Sequence, residues 1–455
     1  MTSKAIDRLI VTGEHLYQPP RDLAHAELSH FRATPDGINW TARITKESYA
    51  PQVDKHVFKR ASFDAYGSLR QQLDTINPAV SRALRQEMRE RGVGDPFIHP
   101  ILPDLNDEDK QIVIGAGYAA FLRETGQKPQ WFWAPETALD TKTLETLAPY
   151  YAGVIGAPEQ LQSSSGQEMD NQLVQLKLPS GRQIYFLPFD RPVSQQLAFH
   201  PKTKSEEFRD QIIIPRYGYL PSGIPLIPWT DGETFGHHCP GADDFLAYTL
   251  FVALEDVGIQ SVSINSILQI WKGRPLMDAR LRERSAWSCP HGDLVRWHGH
   301  CGCTGYADGH WKGPFYAALH RLNTAVTEVV RRNMGAQFVP LLIDQFPELL
   351  INPGGRKSTP TKSLLSAKAS SLTTLTSCGT FFDNPHTAGH INVAFGLQAV
   401  THLRDAGLLQ EADDIWQQFE NDLAQVWDPT EPGANLSSLP RKLVGDKTPV
   451  FAVVR

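Results

Sequence analysis

Short apolar runs that end in polar loops recur along the earlier part of the chain, with helical patterns between them. "AIDRLIVTGEHLYQPPR" begins with such a run and ends in a proline-containing loop. It predicts a first β-strand that delivers His15, Tyr17 and Gln18 at its C-terminal end. "QIVIGAGYAAFLRETG" predicts a helix that Gly126 stops, and "QWFWAPETALDTKTLETLAPYYAGVIGAPE" predicts strand, loop, helix, strand and loop, with Asp140 capping the helix. "RQIYFLPFD" and "IPLIPWTDGETFGHH" read as further strand-loop units, the latter followed by a helix over "DDFLAYTLFVALEDVG". The alternation predicts an α/β fold with a mostly parallel sheet, whose strand-end loops are the natural place for chemistry.

From Leu281 to Trp311 the periodicity fades and Gly, His, Trp and Cys accumulate, which reads as a structured insertion or long active-site loop. Beyond it, "GPFYAALHRLNTAVTEVVRRNMG", "INVAFGLQAVTHLRDAG" and "EADDIWQQFENDLAQVW" read as helices. "INPGGRKSTPTKSLLSAKASS" between them is rich in Gly, Pro, Ser and Lys, and predicts an exposed mobile connection near 352–372. The expected organisation is a catalytic region over 1–280, an insertion over 281–311 and a mainly helical region over 312–455.

The chain has 455 residues, 41% of them hydrophobic and 21% charged, which suits a globular enzyme with a sizeable core. Its 44 basic and 50 acidic residues give a net charge of -6 without a long run of either sign. That balance argues against a nucleic-acid surface. No apolar run has the length of a bilayer span, and "MTSKAIDRLIVTG" lacks the pattern of a secretory signal, so the expected location is cytoplasmic with no membrane partner. Five cysteines are too few for a disulfide scaffold in a chain of this length. Oligomeric state leaves no linear signature.

Glu136 follows a hydrophobic strand and a proline, and Asp231 and Glu233 occupy the same kind of place in a later unit. Carboxylates from the ends of two parallel strands can flank one glycosidic bond, one attacking the anomeric carbon and the other protonating the leaving oxygen. Trp133 and Trp229 beside them offer faces for sugar stacking, although each can equally be core. The bland alternative is a set of solvated surface acids.

The ordered motifs "EHLYQPPRD", "FIHPILPDLNDEDKQIVIG", "WFWAPETALD", "WTDGETFGHH", "SAWSCPHGDLVRW" and "CGCTG" resemble glycoside hydrolase family 57. The match is nearest to a bacterial branch that commonly carries a domain of unknown function after the catalytic region. The resemblance implies an incomplete (β/α)7 barrel followed by helices, and a retaining hydrolase of α-linked glucans or related α-glycosides. It implies Glu136 as nucleophile, Asp231 as general acid/base, His15 and His99 as pocket histidines, and Glu233 and His237 as orienting or hydroxyl-binding neighbours. The alternative within the same chemistry is a 4-α-glucanotransferase or α-glucan branching enzyme. A metal-dependent polysaccharide deacetylase and a noncatalytic carbohydrate-binding protein rank lower, because the two-carboxylate pattern is complete. Glu14 stands where the family usually has a paired histidine, which departs from the first motif.

Trp287, His291, Arg296 and Trp297 are candidates to complete a sugar pocket; the bland alternative is that Arg296 pairs with Asp293 and both tryptophans pack the loop. Asp383 can return from the helical region to line a cleft, or cap a helix. Cys289, His291, Cys301 and Cys303 can in principle close a structural zinc site. The loose spacing between the two groups, and the single residue between Cys301 and Cys303, favour packing of reduced cysteines instead. No glycine-rich nucleotide fingerprint is present, so the expected chemistry requires no cofactor and acts on an oligosaccharide or polysaccharide.

Overall fold

The computed structural model describes residues 8–23, 38–163, 166, 169–201, 204–289, 291, 293–303, 308–351 and 358–440. They fall into two compact units. The first comprises Met1–Tyr17, Thr41–Asp95 and Phe121–Trp287, and the second Gln18–Trp40, Pro96–Ala120 and Ser288–Arg455, as far as these are described. The division is therefore not contiguous: two early segments belong with the later helices, and the expected insertion over 281–311 divides after Trp287.

The first unit holds the strands β1 (Arg8–Ile10), β2 (Gly13–Leu16), β3 (Ser62–Ala65), β4 (Gly92–Val93), β5 (Trp131–Trp133), β6 (Gly153–Gly156), β7 (Leu161–Ser163), β8 (Val174–Lys177), β9 (Gln183–Pro188), β10 (Trp229–Asp231), β11 (Ile259–Ser261) and β12 (Ala279–Leu281). Parallel pairing runs in the order β10-β2-β3-β4 and again through β5-β6-β9, and a parallel bridge from Gly94 to Phe132 links the two groups. β1 pairs with β11 in parallel, while β8 on β9 and β12 on β7 are antiparallel. After β9, Asp190 N donates to Ile227 O at 2.7 Å, and Gly13 N on β2 donates to Pro228 O at 2.8 Å.

Helices alternate with the parallel strands in chain order: Gly67–Ile76 and Pro78–Arg91 after β3, Thr141–Leu147 after β5 and Arg191–Phe199 after β9. Asp140 caps its helix as expected, accepting from Thr143 N at 2.7 Å. One apolar core joins Ile10 and Leu226 to Val193, Leu197, Leu246 and Leu250. Each such fully buried side chain contributes about 1.5–3 kcal/mol relative to an exposed one. This burial, rather than the short ladders, fixes where the strand ends stand.

The second unit is mainly helical, with Lys312–Met334, Phe338–Ile351, Pro360–Thr373, Pro385–Asp405 and Leu409–Ala424. The stretch expected to be a mobile connection needs correction from residue 360 on, where Pro360–Thr373 is a helix buried from Ser363 to its end; 352–357 lie outside the described residues. Small serines let this helix pack closely and find partners, as when Ser371 Oγ lies 2.9 Å from both Lys368 O and Asn323 Oδ1 and can donate to either. Lys368, fully buried, is paired with Asp109 at 2.6 Å. Its charge is neutralised inside the helical unit rather than solvated. No helix of the described residues is long and apolar enough to cross a membrane.

Candidate active site

Three adjacent strands set side by side the acidic and basic groups at the end of the first unit's sheet. In β10-β2-β3 the register pairs Asp231 with His15 and His15 with Asp64, so the three side chains share one face. His15 Nδ1 lies 2.7 Å from Asp64 Oδ2. Burial alone pushes the His15 imidazole down. Asp64 outweighs it by charge and hydrogen bond, and with Asp231 and Glu136 lifts His15 to about 9. His15 is therefore a buried cation at neutral pH, within electrostatic reach of both candidate catalytic carboxylates. Burial raises the Asp231 carboxyl above its ordinary range, and the charges of His15 and His238 oppose that rise.

Two residues earlier on the same face, Trp229 lies opposite Gly13. A Cβ on Gly13 would stand 1.9 Å from a Trp229 ring carbon, so the indole occupies space that only glycine leaves. Trp229 stacks on Trp133 with ring centres 5.2 Å apart, and Trp133 stacks on His15 at 5.5 Å. Both indoles are fully buried. Of the two readings, sugar platform or core, this burial favours core: they form a floor beneath His15, packed by the register that aligns the polar groups. Trp287, half-buried, crosses Trp133 edge-on at 5.0 Å and is the tryptophan of this cluster that solvent reaches. Tyr17 packs edge-on against Tyr66 at 5.2 Å beside His15.

Glu136 sits in a turn that the chain would not adopt unaided. Strand β5 ends at Trp133, and the turn Pro135–Thr137 carries Glu136 at φ 56° and Thr137 at φ 50°. Left-handed conformations cost a non-glycine residue roughly 1–2 kcal/mol each. Three hydrogen bonds hold the turn: Trp287 N donates to Glu136 O at 3.1 Å and to Thr137 Oγ1 at 2.9 Å, and Gln160 Nε2 donates to Thr137 O at 2.7 Å. Gln160 Nε2 also donates to Ser285 O at 3.0 Å, tying in the segment that leads to Trp287.

The strand carrying Asp231 stops there, and Gly232–Thr234 turns away as one helical turn. Glu233 therefore leaves the Asp231 face and accepts a hydrogen bond from Tyr49 Oη at 3.2 Å. His237 Nδ1 lies 2.6 Å from Glu47 Oε2. Glu233, His237 and His238 can offer ligand atoms within 4.8 Å of one another, which makes them one of two groups among the described residues that could hold a metal. Protein partners already engage that group: Tyr49 on Glu233 and Glu47 on His237.

The remaining candidates belong to the second unit. Gln18 accepts from Arg21 at 3.1 Å, and His99 Nδ1 lies 2.8 Å from Ser377 Oγ. The Arg296 guanidinium lies 4.0 Å over the Phe381 ring, and no ion pair with Asp293 occurs among the described residues. Trp297 is fully buried, which favours loop packing over a pocket wall. Asp383 accepts from Lys312 Nζ at 3.3 Å, and its carbonyl accepts from Trp311 Nε1 at 3.0 Å. Cys289, Cys301 and Cys303 form the second group that could hold a metal, and the exposed His291 lies beside Cys289 and Cys303. A surface cavity of the first unit lined by Glu159, Asp170, Arg191 and Arg216 includes none of the catalytic candidates.

Asp64, Glu47 and Tyr49 escaped the reading of the sequence. Asp64 had a signal, a carboxylate within the short strand "SFDA", whereas Glu47 and Tyr49 lie in the turn Thr45–Tyr49 with nothing to mark them.

The family described as Glycosyl hydrolase family 57 matches residues 24–280. Among solved structures, the chain is similar to an exo-type maltose-forming amylase from Pyrococcus sp. ST04, with a TM-score of 0.71 and 14% identity over 98% of this chain and 88% of that one. A branching enzyme from Pyrococcus horikoshii gives a TM-score of 0.60 at 14% identity, covering 92% of this chain and 95% of that one. A 4-α-glucanotransferase from Thermococcus litoralis gives 0.55 at 14% identity over 81% of this chain and 60% of that one. At such identity these likenesses speak for the fold. No curated protein matches the chain in sequence.

Proposed function

The chain belongs to glycosyl hydrolase family 57, and from that premise we propose a retaining enzyme of α-glucans in which Glu136 is the nucleophile and Asp231 the general acid/base. The observation that carries the reading is that both carboxylates act on one buried imidazole, His15, from the ends of different parallel strands. In the first step Glu136 attacks the anomeric carbon as Asp231 gives its proton to the departing glycosidic oxygen. Burial keeps Asp231 protonated more readily than an ordinary carboxyl. In the second step an acceptor hydroxyl returns a proton to Asp231 and displaces Glu136. The charged His15 donates to sugar hydroxyls, with Trp287 as the wall that sugar meets. We read the parallel strands β2, β3, β4, β5, β6, β9 and β10 as seven positions of an incomplete (β/α)7 barrel, and the motif set as that of the bacterial branch that commonly carries a domain of unknown function after the catalytic region.

Transfer to a second glucan ranks ahead of hydrolysis. Two of the three solved structures named above are a branching enzyme and a 4-α-glucanotransferase. The same covalent intermediate serves both outcomes, and exclusion of water decides between them. Product analysis on a maltooligosaccharide tests this ranking. Longer or rebranched chains without matching release of reducing ends are expected, and shortening with stoichiometric reducing ends would instead make the enzyme a hydrolase. Glu136→Gln abolishes either outcome.

A further inference from the structure

We propose that Cys289, His291, Cys301 and Cys303 bind one structural zinc ion that clamps the loop between residues 289 and 303. The linear spacing argued against this, because the two short pairs stand far apart and Cys301 and Cys303 are separated by one residue. The fold removes the objection by bringing the pairs together. The sulfurs of Cys289, Cys301 and Cys303 lie within 4.8 Å of one another. His291 Nδ1 lies 3.3 Å from Cys303 Sγ and 3.8 Å from Cys289 Sγ.

The two sulfur-nitrogen distances suit a tetrahedral ion, and the bound of 4.8 Å on the sulfurs leaves room for one. With zinc-sulfur bonds of about 2.3 Å and a zinc-nitrogen bond of about 2.0 Å, ligand sulfurs stand about 3.8 Å apart and sulfur and nitrogen about 3.5 Å apart. The two measured sulfur-nitrogen distances bracket that value. Gly302 takes φ +69°, a left-handed conformation that suits glycine, and this turn aims both flanking sulfurs the same way. Within it Cys303 N donates to Cys301 Sγ at 3.4 Å. Cys289 is buried, so the site is anchored at its inner end. Three thiolates and a neutral imidazole leave a zinc complex with one net negative charge.

The role is structural because four protein ligands leave no position for substrate or water. The clamp closes a loop that carries the helix Val295–His298, whose Trp297 is fully buried and whose Arg296 lies over Phe381. Binding releases the thiol protons and involves no oxidation. Nothing in it depends on Glu136 or Asp231.

The test uses the full chain, produced with zinc in the medium and purified without chelator. Elemental analysis is expected to give about one zinc per chain, and the zinc X-ray absorption edge three sulfurs and one nitrogen as nearest neighbours. Cys301→Ser with Cys303→Ser is expected to lower the zinc content at least about fivefold. Less than about 0.2 zinc per chain in the wild type would overturn the proposal. So would iron in its place, an oxygen-dominated coordination shell, or a disulfide among these cysteines in the purified protein. The absorption measurement needs only the wild type, so it decides even if the double variant fails to fold.

Discussion

His15 Nδ1 and Asp64 Oδ2 lie 2.7 Å apart across two adjacent strands, in a pair where the Asp64 side chain is fully buried. The pair makes stability depend on pH with a definite sign. His15 rises in the folded state from 6.5 to about 9, so its contribution is fully present below pH 6.5 and is lost as pH climbs through about 9. The shift corresponds to roughly 3 kcal/mol. Denaturant unfolding from pH 6 to 10 is expected to show that decline in the wild type. Asp64→Asn is expected to flatten it, since the main group that lifts His15 is then neutral. An unchanged slope in Asp64→Asn would mean that Asp64 does not hold the proton on His15.

The left-handed turn at Glu136 predicts a separation of stability from activity. Glycine adopts φ 56° without strain, so Glu136→Gly should be more stable than Glu136→Ala by about 1 kcal/mol, while both lack turnover. Chemical denaturation of the two variants measures the difference. Equal stabilities would show that the turn carries no strain at this residue.

Asp231 must be protonated when it assists the leaving group, so its ionisation sets the high-pH limb of kcat/KM. Burial places that limb above the ordinary carboxyl value of 3.8, and the His15 charge holds it down. His15→Asn removes the charge. The limb is then expected to move to higher pH, whatever the change in overall rate. A shift to lower pH in the pH-rate profile would contradict the arrangement.

Gly13 and Trp229 give a packing test independent of chemistry. A methyl group at Gly13 meets the Trp229 ring at 1.9 Å, and the floor of buried indoles has no room to yield. Gly13→Ala is expected to cost about 3 kcal/mol in equilibrium unfolding. A loss under about 0.5 kcal/mol would show that the floor is loosely packed.

Much of this was legible in the chain because periodicity reports local structure. The strand before "APETALD", the cap at Asp140 and the helices Lys312–Met334 and Leu409–Ala424 follow from apolar spacing and turn residues. Two kinds of feature were hidden. Pro360–Thr373 reads as solvated because its serines and Lys368 are polar, yet its partners lie in other helices, such as Asp109 for Lys368. Trp133 and Trp229 read equally as sugar platforms or as core because a tryptophan beside a carboxylate looks the same in sequence whether its ring faces solvent or core. The register that put Trp229 over Gly13 decided it. Asp64 and Glu47 were missed for the same reason: an ion pair between residues far apart in sequence exists only once strands and turns have met.

The central claim, that Glu136 attacks the sugar, is tested most directly by trapping the covalent intermediate. A 5-fluoro α-glucosyl fluoride reacts through the first step and slows the second, leaving the sugar on its nucleophile. Peptide mass spectrometry of the trapped enzyme is expected to find one glycosyl group, as an ester of Glu136, and none in Glu136→Gln. A label on Glu233 or Asp231, or unlabelled enzyme that releases product of inverted anomeric configuration, would contradict the account.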